Sequence, residues 1–337
     1  MISEFQWPIL ENFILKSVKI ESKALQGNPW KDPFVRQNPI LTPERHLKKP
    51  QEMLPLVVVL AGFGGNGPKY LGDKGFEKNY VQQLDECVTD RKAPEAFYLF
   101  VDAWTFWGGS QFMNSKGMGR YEDYIVKELL PTVFANLPVD QTRVCVTGVS
   151  SGGYGALQLA SNHPEMFPYV AAQAPDSFFE TCYLGDVYTS VPFVVKHKGI
   201  QGLISQHKQG KIVSRKDGFP ILNAICMSLC YSPKGESDFE LPVDLETGEL
   251  RENIWKKWKA HDPVEFLKER KANTKKWTKS YIEVGTRDNF NLFFGARHIR
   301  NILEKNNAAC DYTEFDGTHF DFAERRPNLW AWLEGAW

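Results

Sequence analysis

The chain has 337 residues, 42% of them hydrophobic and 24% charged, with 40 Lys plus Arg against 41 Asp plus Glu. That composition is globular, which excludes a wholly disordered chain, and a net charge of -1 lacks the basic excess that neutralising nucleic-acid phosphates requires. The longest apolar stretch, 54–63, has about half the length of a membrane-spanning helix.

At the N-terminus, MISEFQWPIL carries an early Glu, no basic n-region and no small-residue cleavage site. The expectation is a soluble cytoplasmic protein with no nucleic-acid or membrane partner. Residues 1–53 read as strands that join the core sheet: NFILKSVKIES alternates, NPWKDP turns and NPILTP follows. LPLVVVLAG is an unbroken β-branched run, the mark of a strand buried on both faces of a parallel sheet. A polar helical stretch around 77–87 leads to a second buried strand, AFYLFVDA. EDYIVKELLPTVFANL has helical spacing, with Pro131 reshaping the helix after its opening turn. RVCVTGVS is a third strand and SGGYGALQLASNH a helix. YVAAQAP, YIEVGT and CDYTEF complete the strands, with the helix FFGARHIRNILEKN between the last two. Strand and helix alternate, so the class is α/β with a mostly parallel sheet. The alternation breaks once, over 178–277, where an apolar helical run (219–231), a Pro/Gly/acidic loop (232–252) and a Trp-rich segment occur. An insertion of that size after a strand reads as a cap over a site or as a packing extension. The chain thus divides into 1–53, a core part at 54–177, the insertion at 178–277, and a second core part at 278–337.

Six cysteines (Cys87, Cys145, Cys182, Cys226, Cys230, Cys310) are scattered through the chain. Only Cys226 and Cys230 are close, at i, i+4 in a helical run, and no His follows at zinc-site spacing. Buried packing of free thiols is expected there, with no metal site.

Gly148-Val149-Ser150-Ser151-Gly152 is G-x-S-x-G between a predicted strand and a predicted helix. Nucleophilic serine chemistry needs that context: a sharp turn exposes the hydroxyl, and the helix N-terminus supplies free N–H groups where negative charge develops. Serine also needs a base and an acid that orients it. Of seven histidines, His46, His163, His197, His207, His261 and His298 fall in the N-terminal segment, at helix positions or in the insertion. His319 lies in the loop after the last strand, where a base reaches across the strand tops to Ser150. Asp288 follows YIEVGT, and the order Ser150, Asp288, His319 is that of the α/β hydrolases. Asp176, after YVAAQAP, is the competing acid; Asp316 and Asp321 read as surface groups or groups supporting the site.

Gly62, Gly64 and Gly67 satisfy G-x-G-x-x-G after a strand, but Pro68, Gly72 and Gly75 follow where a dinucleotide-binding helix has to start. An oxyanion loop fits better, with the N–H groups of Phe63 and Ser151 converging on a carbonyl oxygen.

These residues resemble the esterase D-like branch of the α/β hydrolases, which includes feruloyl and acetyl-xylan esterases, siderophore esterases, S-formylglutathione hydrolase and mycolyltransferases. The resemblance rests on VTGVSSGGYGALQLASNHPEMF, GRYEDYIVKELLPTV, YIEVGTRDNF and FDGTHFDF, and covers 54–177 and 278–337. Ser151 stands where many members have Met, and Ala61 where Asp, His or Ser is common. The resemblance implies the α/β-hydrolase fold with a large helical cap insertion, and a pocket lined by Trp104, Ser110, Gln111 and Asn114. Capping of neighbouring backbone is the alternative for each of these four. Trp255 and Trp258, at i, i+3 in the insertion, read either as an apolar wall for an acyl group or as packing. The expected activity is serine-dependent hydrolysis of a small or medium carboxylic ester through an acyl-enzyme, with no cofactor. Thioester hydrolysis or acyl transfer uses the same parts; a catalytically silent binding protein on the same fold is the reading from another class.

Overall fold

The computed structural model describes residues 8–72 and 75–337. Residues 1–7, which open the segment MISEFQWPIL, and residues 73–74 lie outside the described residues.

The run LPLVVVL forms a strand in which every residue is buried. Its alternate side chains go to opposite faces, as the twofold period of a strand demands. Leu56, Val58 and Leu60 join one apolar cluster, and Val57 and Val59 join the other. This strand is one of eight in a single sheet: β1 (Phe13–Glu21), β2 (Val35–Pro43), β3 (Leu54–Leu60), β4 (Phe97–Phe100), β5 (Val139–Val149), β6 (Tyr169–Gln173), β7 (Lys279–Gly285) and β8 (Cys310–Phe315). Their order across the sheet is β1-β2-β4-β3-β5-β6-β7-β8. The strands from β4 to β8 run parallel, whereas β1 and β2 form an antiparallel edge made by the N-terminal residues.

Helices cover both faces, which is why the central strands carry no polar face. Helices α1 (Tyr80–Thr89) and α7 (Phe322–Ala336) bring Tyr80, Val81, Leu84, Leu329, Trp330 and Leu333 to the cluster of Val57 and Val59. On the opposite face, α2 (Ser151–Asn162) and α6 (Leu292–Asn306) pack with α3 (Leu184–His197), α4 (Gly218–Tyr231) and α5 (Glu252–Lys259) of the insertion. The segment expected as one helix over 122–137 is helical over 121–136, with a π-turn stretch at Tyr124–Leu129. Pro131 has no N–H to return to the preceding turn, so the hydrogen-bond ladder is interrupted where the widened turns end.

The parallel strands end in step. Leu60 pairs with Gly148, Val149 with Gln173, Gln173 with Glu283, and Phe315 with Gly285. The loops leaving those ends carry Phe63, Ser150, Asp176, Asp288 and His319, so five separated sequence positions meet at one edge of the sheet. Within the insertion, Trp258 is fully buried beneath Tyr183 and Tyr231, with ring centroids 6.0 and 5.4 Å away, and its Nε1–H donates to Ser232 Oγ at 2.8 Å. Trp255 packs beside it at 6.1 Å. Trp258 therefore serves as packing behind the two tyrosines, and neither Trp borders the cavity at Ser150. Cys226 and Cys230 are free and buried on α4. Among the described residues, no helix is long and apolar enough to cross a membrane.

Candidate active site

Ser150 sits between β5 and α2 with φ 60° and ψ -126°, a conformation that costs a non-glycine residue energy and persists only where the surroundings impose it. Here the surroundings are the two glycines of the motif. A Cβ on Gly148 would lie 2.5 Å from the carbonyl carbon of Gly152, and one on Gly152 would lie 2.4 Å from the carbonyl oxygen of Leu60. The turn closes this tightly only because neither position has a side chain. The Ser150 N–H donates to the Gln173 carbonyl at 2.9 Å, tying the elbow to the neighbouring strand. Ser151 is the first residue of α2, where an N–H has no intrahelical acceptor and faces outward.

The loops after β7 and β8 are clamped together by backbone. Thr286 N–H donates to the Phe315 carbonyl and Arg287 N–H to the Gly317 carbonyl, both at 2.9 Å. A Cβ on Gly285 would lie 2.5 Å from the Gly317 carbonyl oxygen, so glycine permits the approach. The consequence is that Asp288 and His319 meet: His319 Nδ1 is 2.7 Å from Asp288 Oδ2. Asp288 is only 4% exposed, and its other oxygen accepts from the N–H groups of Phe290 at 2.8 Å and Leu292 at 3.3 Å. These bonds fix the carboxylate, and the carboxylate fixes the ring. The His319 imidazole meets the Phe290 ring edge-on, with centroids 4.7 Å apart.

On the other flank of Ser150 is Asp176. Ser150 Oγ donates to Asp176 Oδ1 at 3.1 Å, while Ser151 Oγ and Tyr183 OH donate to Oδ2 at 2.5 and 2.7 Å. Gln111 Nε2 in turn donates to the hydroxyls of Tyr183 and Tyr231, at 3.1 and 3.0 Å. Burial pushes the Asp176 carboxyl above its usual range, opposed by the hydroxyls of Ser151 and Tyr183, the His319 charge and the Ser150 hydroxyl. Burial also pushes Tyr183 and Tyr231 well up, so both remain protonated donors. Asp176, weighed from sequence as a rival acid for His319, instead holds hydroxyl groups, and the acid at 2.7 Å from the imidazole is Asp288.

Two cavities flank Ser150. A cavity of about 20 Å³ is bordered by Ser150, Asp176, Tyr183, Phe219, Asn223 and Phe290. A larger one, about 360 Å³, is bordered by Gly148, Val149, His319, Phe320, Lys69 and Arg326, among others. Phe63 and Ser151, the expected oxyanion pair, border a third space of about 10 Å³ together with Ser110 and Gln111. Among the described residues, no acceptor takes the Phe63 N–H. Of the four residues expected to line a pocket, Ser110 and Gln111 are buried here, and Gln111 also holds the tyrosine pair. Trp104 is 42% exposed, with its carbonyl accepting from Arg36, and the Asn114 side chain accepts from the Asp123 N–H at the start of the next helix. Neither residue borders the three cavities, and Asn114 alone follows the alternative of capping neighbouring backbone. Tyr183, Phe219, Asn223 and Phe290 went unremarked in the sequence; Phe290 alone had a visible cue, its place two residues after Asp288.

A family model described as "Putative esterase" matches residues 37–331. The chain belongs to that esterase family. Curated relatives match over a shorter stretch: S-formylglutathione hydrolase of Mus musculus is 38% identical over 80 residues, 22% of this chain and 28% of that one. The enzyme of that name from Paracoccus denitrificans is 44% identical over 56 residues, 17% of this chain and 20% of that one. The chain thus matches between a fifth and little more than a quarter of the length of these relatives. Solved structures agree in fold over nearly all of the chain. A ferulic acid esterase superposes with a TM-score of 0.61 at 15% identity, covering 97% of this chain and 99% of the other. S-formylglutathione hydrolase from Staphylococcus aureus gives 0.56 at 12% identity, covering 96% and 100%. Ferric enterobactin esterase from Salmonella typhimurium gives 0.56 at 18%, covering 96% and 58%. At these identities the likeness is one of fold: the protein has the α/β-hydrolase fold.

Proposed function

We propose that this esterase is a serine carboxylic-ester hydrolase that works through an acyl-enzyme on Ser150. The observation that carries the proposal is the 2.7 Å pairing of His319 Nδ1 with Asp288 Oδ2 at the strand edge that also presents the strained Ser150. A neutral imidazole held through Nδ1 presents Nε2 as a base. As Ser150 Oγ attacks the ester carbonyl, the hydroxyl turns from Asp176 and its proton passes to His319 Nε2. The carbonyl electrons move to oxygen, and the N–H groups of Phe63 and Ser151 bind the resulting oxyanion. Collapse breaks the bond to the leaving group, which takes the proton from His319. Water then attacks the acyl-enzyme by the same steps, returning the proton to Ser150. No metal or organic cofactor enters this sequence.

Because His319 delivers a proton to the leaving group, the larger cavity beside His319 suits the alcohol or thiol, and the small one beside Asp176 suits the acyl group. Cleavage of thioesters is the second reading, favoured by the name that the curated relatives share, S-formylglutathione hydrolase. The proposal is tested with 4-nitrophenyl esters of increasing acyl length and a matched thioester series, run on wild type and Ser150→Ala. Hydrolysis that falls by about 10⁴-fold or more in Ser150→Ala supports it. A near wild-type rate in pure, folded Ser150→Ala contradicts it. A silent binding protein hydrolyses nothing and does not react with a fluorophosphonate.

A further inference from the structure

Asp176 is spent on nothing in that chemistry, yet a buried carboxylate this close to a nucleophile needs a reason. It is 5% exposed, and all its side-chain hydrogen bonds come from hydroxyls: Ser150, Ser151 and Tyr183. Among the described residues, no ion pair reaches it, although burying a carboxylate without a cation is costly. Ser151 and Tyr183 both bond Oδ2, so that oxygen stays occupied. Oδ1 is held by Ser150 Oγ, a bond that has to break when the serine proton goes to His319. A serine hydroxyl has one proton to donate. In the acyl-enzyme it has none, and Oδ1 is left as a buried acceptor without a donor.

Covalent geometry says what stands beside it. A substituent on the α-carbon of the acyl group is three bonds from Oγ, about 3 Å away by ordinary bond lengths. Asp176 Oδ1 is 3.1 Å from the same Oγ and borders the same cavity. At about 20 Å³ that cavity has room for about one water-sized group, between the carboxylate and the rings of Phe219 and Phe290.

We propose that Asp176 is a specificity-determining residue that accepts a hydrogen bond from a donor on the α-carbon of the acyl group, so that the preferred substrates are esters or thioesters of 2-hydroxy or 2-amino acids. The proposal rests on the serine-esterase reading and names its acyl group. The donor replaces the bond that Oδ1 loses on acylation, and an α-ammonium in addition supplies the missing counter-charge. An α-methyl of the same size leaves the acceptor unpaired, which is the situation in which a polar site discriminates most strongly.

The test uses three esters of nearly equal shape, the 4-nitrophenyl glycolate, glycinate and propionate, with each kcat/KM divided by the hydroxide-catalysed rate of the same ester. The wild type is expected to favour glycolate or glycinate over propionate by about 10- to 100-fold. A glycinate excess identifies the ammonium and a glycolate excess the hydroxyl. Asp176→Asn, whatever it does to either rate alone, is expected to move the ratio toward one. A wild-type ratio near one overturns the proposal while leaving the esterase reading intact, as does a ratio unchanged in folded Asp176→Asn. The wild-type ratio decides by itself should that variant fail to fold. A wild type that neither hydrolyses propionate nor reacts with a fluorophosphonate overturns the serine reading and this one with it.

Discussion

The two flanks of Ser150 each present a buried aspartate, and the two aspartates are built differently. Asp288 lies in a loop clamped to its neighbour by backbone hydrogen bonds, receives two N–H groups on one oxygen, and offers the other to an imidazole. Asp176 receives no such ring; its partners are hydroxyls, one of them on the insertion. The first arrangement fixes the direction of a proton acceptor. The second fixes hydroxyl groups and gives Ser150 a polar flank. In the proposed mechanism, then, lying close to Ser150 does not make a carboxylate the orienting acid; holding the imidazole does.

The sharpest way to break this distinction is to neutralise each aspartate in turn. Asp288→Asn is expected to lower kcat by about 10⁴-fold, because an amide supports the wrong imidazole tautomer. Asp176→Asn is expected to lower hydrolysis of an unsubstituted acyl ester far less. A reversed ranking in steady-state assays contradicts the assignment.

The next effect concerns what stands behind the Asp176 flank. Trp258 supports Tyr183 and Tyr231, and Trp258→Ala is expected to destabilise the fold by about 3 to 5 kcal/mol, read from urea unfolding. A loss below about 1 kcal/mol would show that the tyrosine pair does not depend on it.

Phe63, proposed to bind the oxyanion, borders the cavities on both flanks. Phe63→Pro deletes one N–H and is expected to reduce kcat by about 10²- to 10³-fold relative to Phe63→Ala, which keeps it. Equal rates in two folded variants would remove Phe63 from the site.

The smallest effect is a pH dependence of stability. Burial raises the Asp176 pKa in the folded chain, so its favourable contribution is complete below the unfolded value and is lost as pH rises through the folded one. The difference in Tm between Asp176→Asn and wild type should therefore favour the variant more at about pH 7 than at about pH 4. The opposite trend would mean that the three hydroxyls outweigh burial and hold the carboxylate charged.

The legible parts of the site are those set by local backbone chemistry. Ser150 could be read because G-x-S-x-G encodes its own turn: the glycines at 148 and 152 are where side chains would collide. Asp288 and His319 could be read because loops after parallel strands open on one edge. The Asp176 flank was less legible. Tyr183, Phe219 and Asn223 reach the cavity only through the packing of the insertion on the sheet, and no spacing in the sequence encodes that. Gln111 could be placed at a pocket, but its bonds to two tyrosines 72 and 120 residues away could not be foreseen. Trp255 and Trp258 show the same limit in reverse, since a helical i, i+3 pair reads alike whether it faces a ligand or a core.

The central claim is that the Asp288–His319 pair activates Ser150. Its most direct test is reaction with a small fluorophosphonate, with the modified residue located by peptide mass spectrometry and the rate followed in wild type, Asp288→Asn and Asp176→Asn. A single adduct on Ser150 is expected, formed at a rate that collapses in Asp288→Asn and persists in Asp176→Asn. An adduct elsewhere, or a rate that survives in Asp288→Asn and collapses in Asp176→Asn, would contradict it.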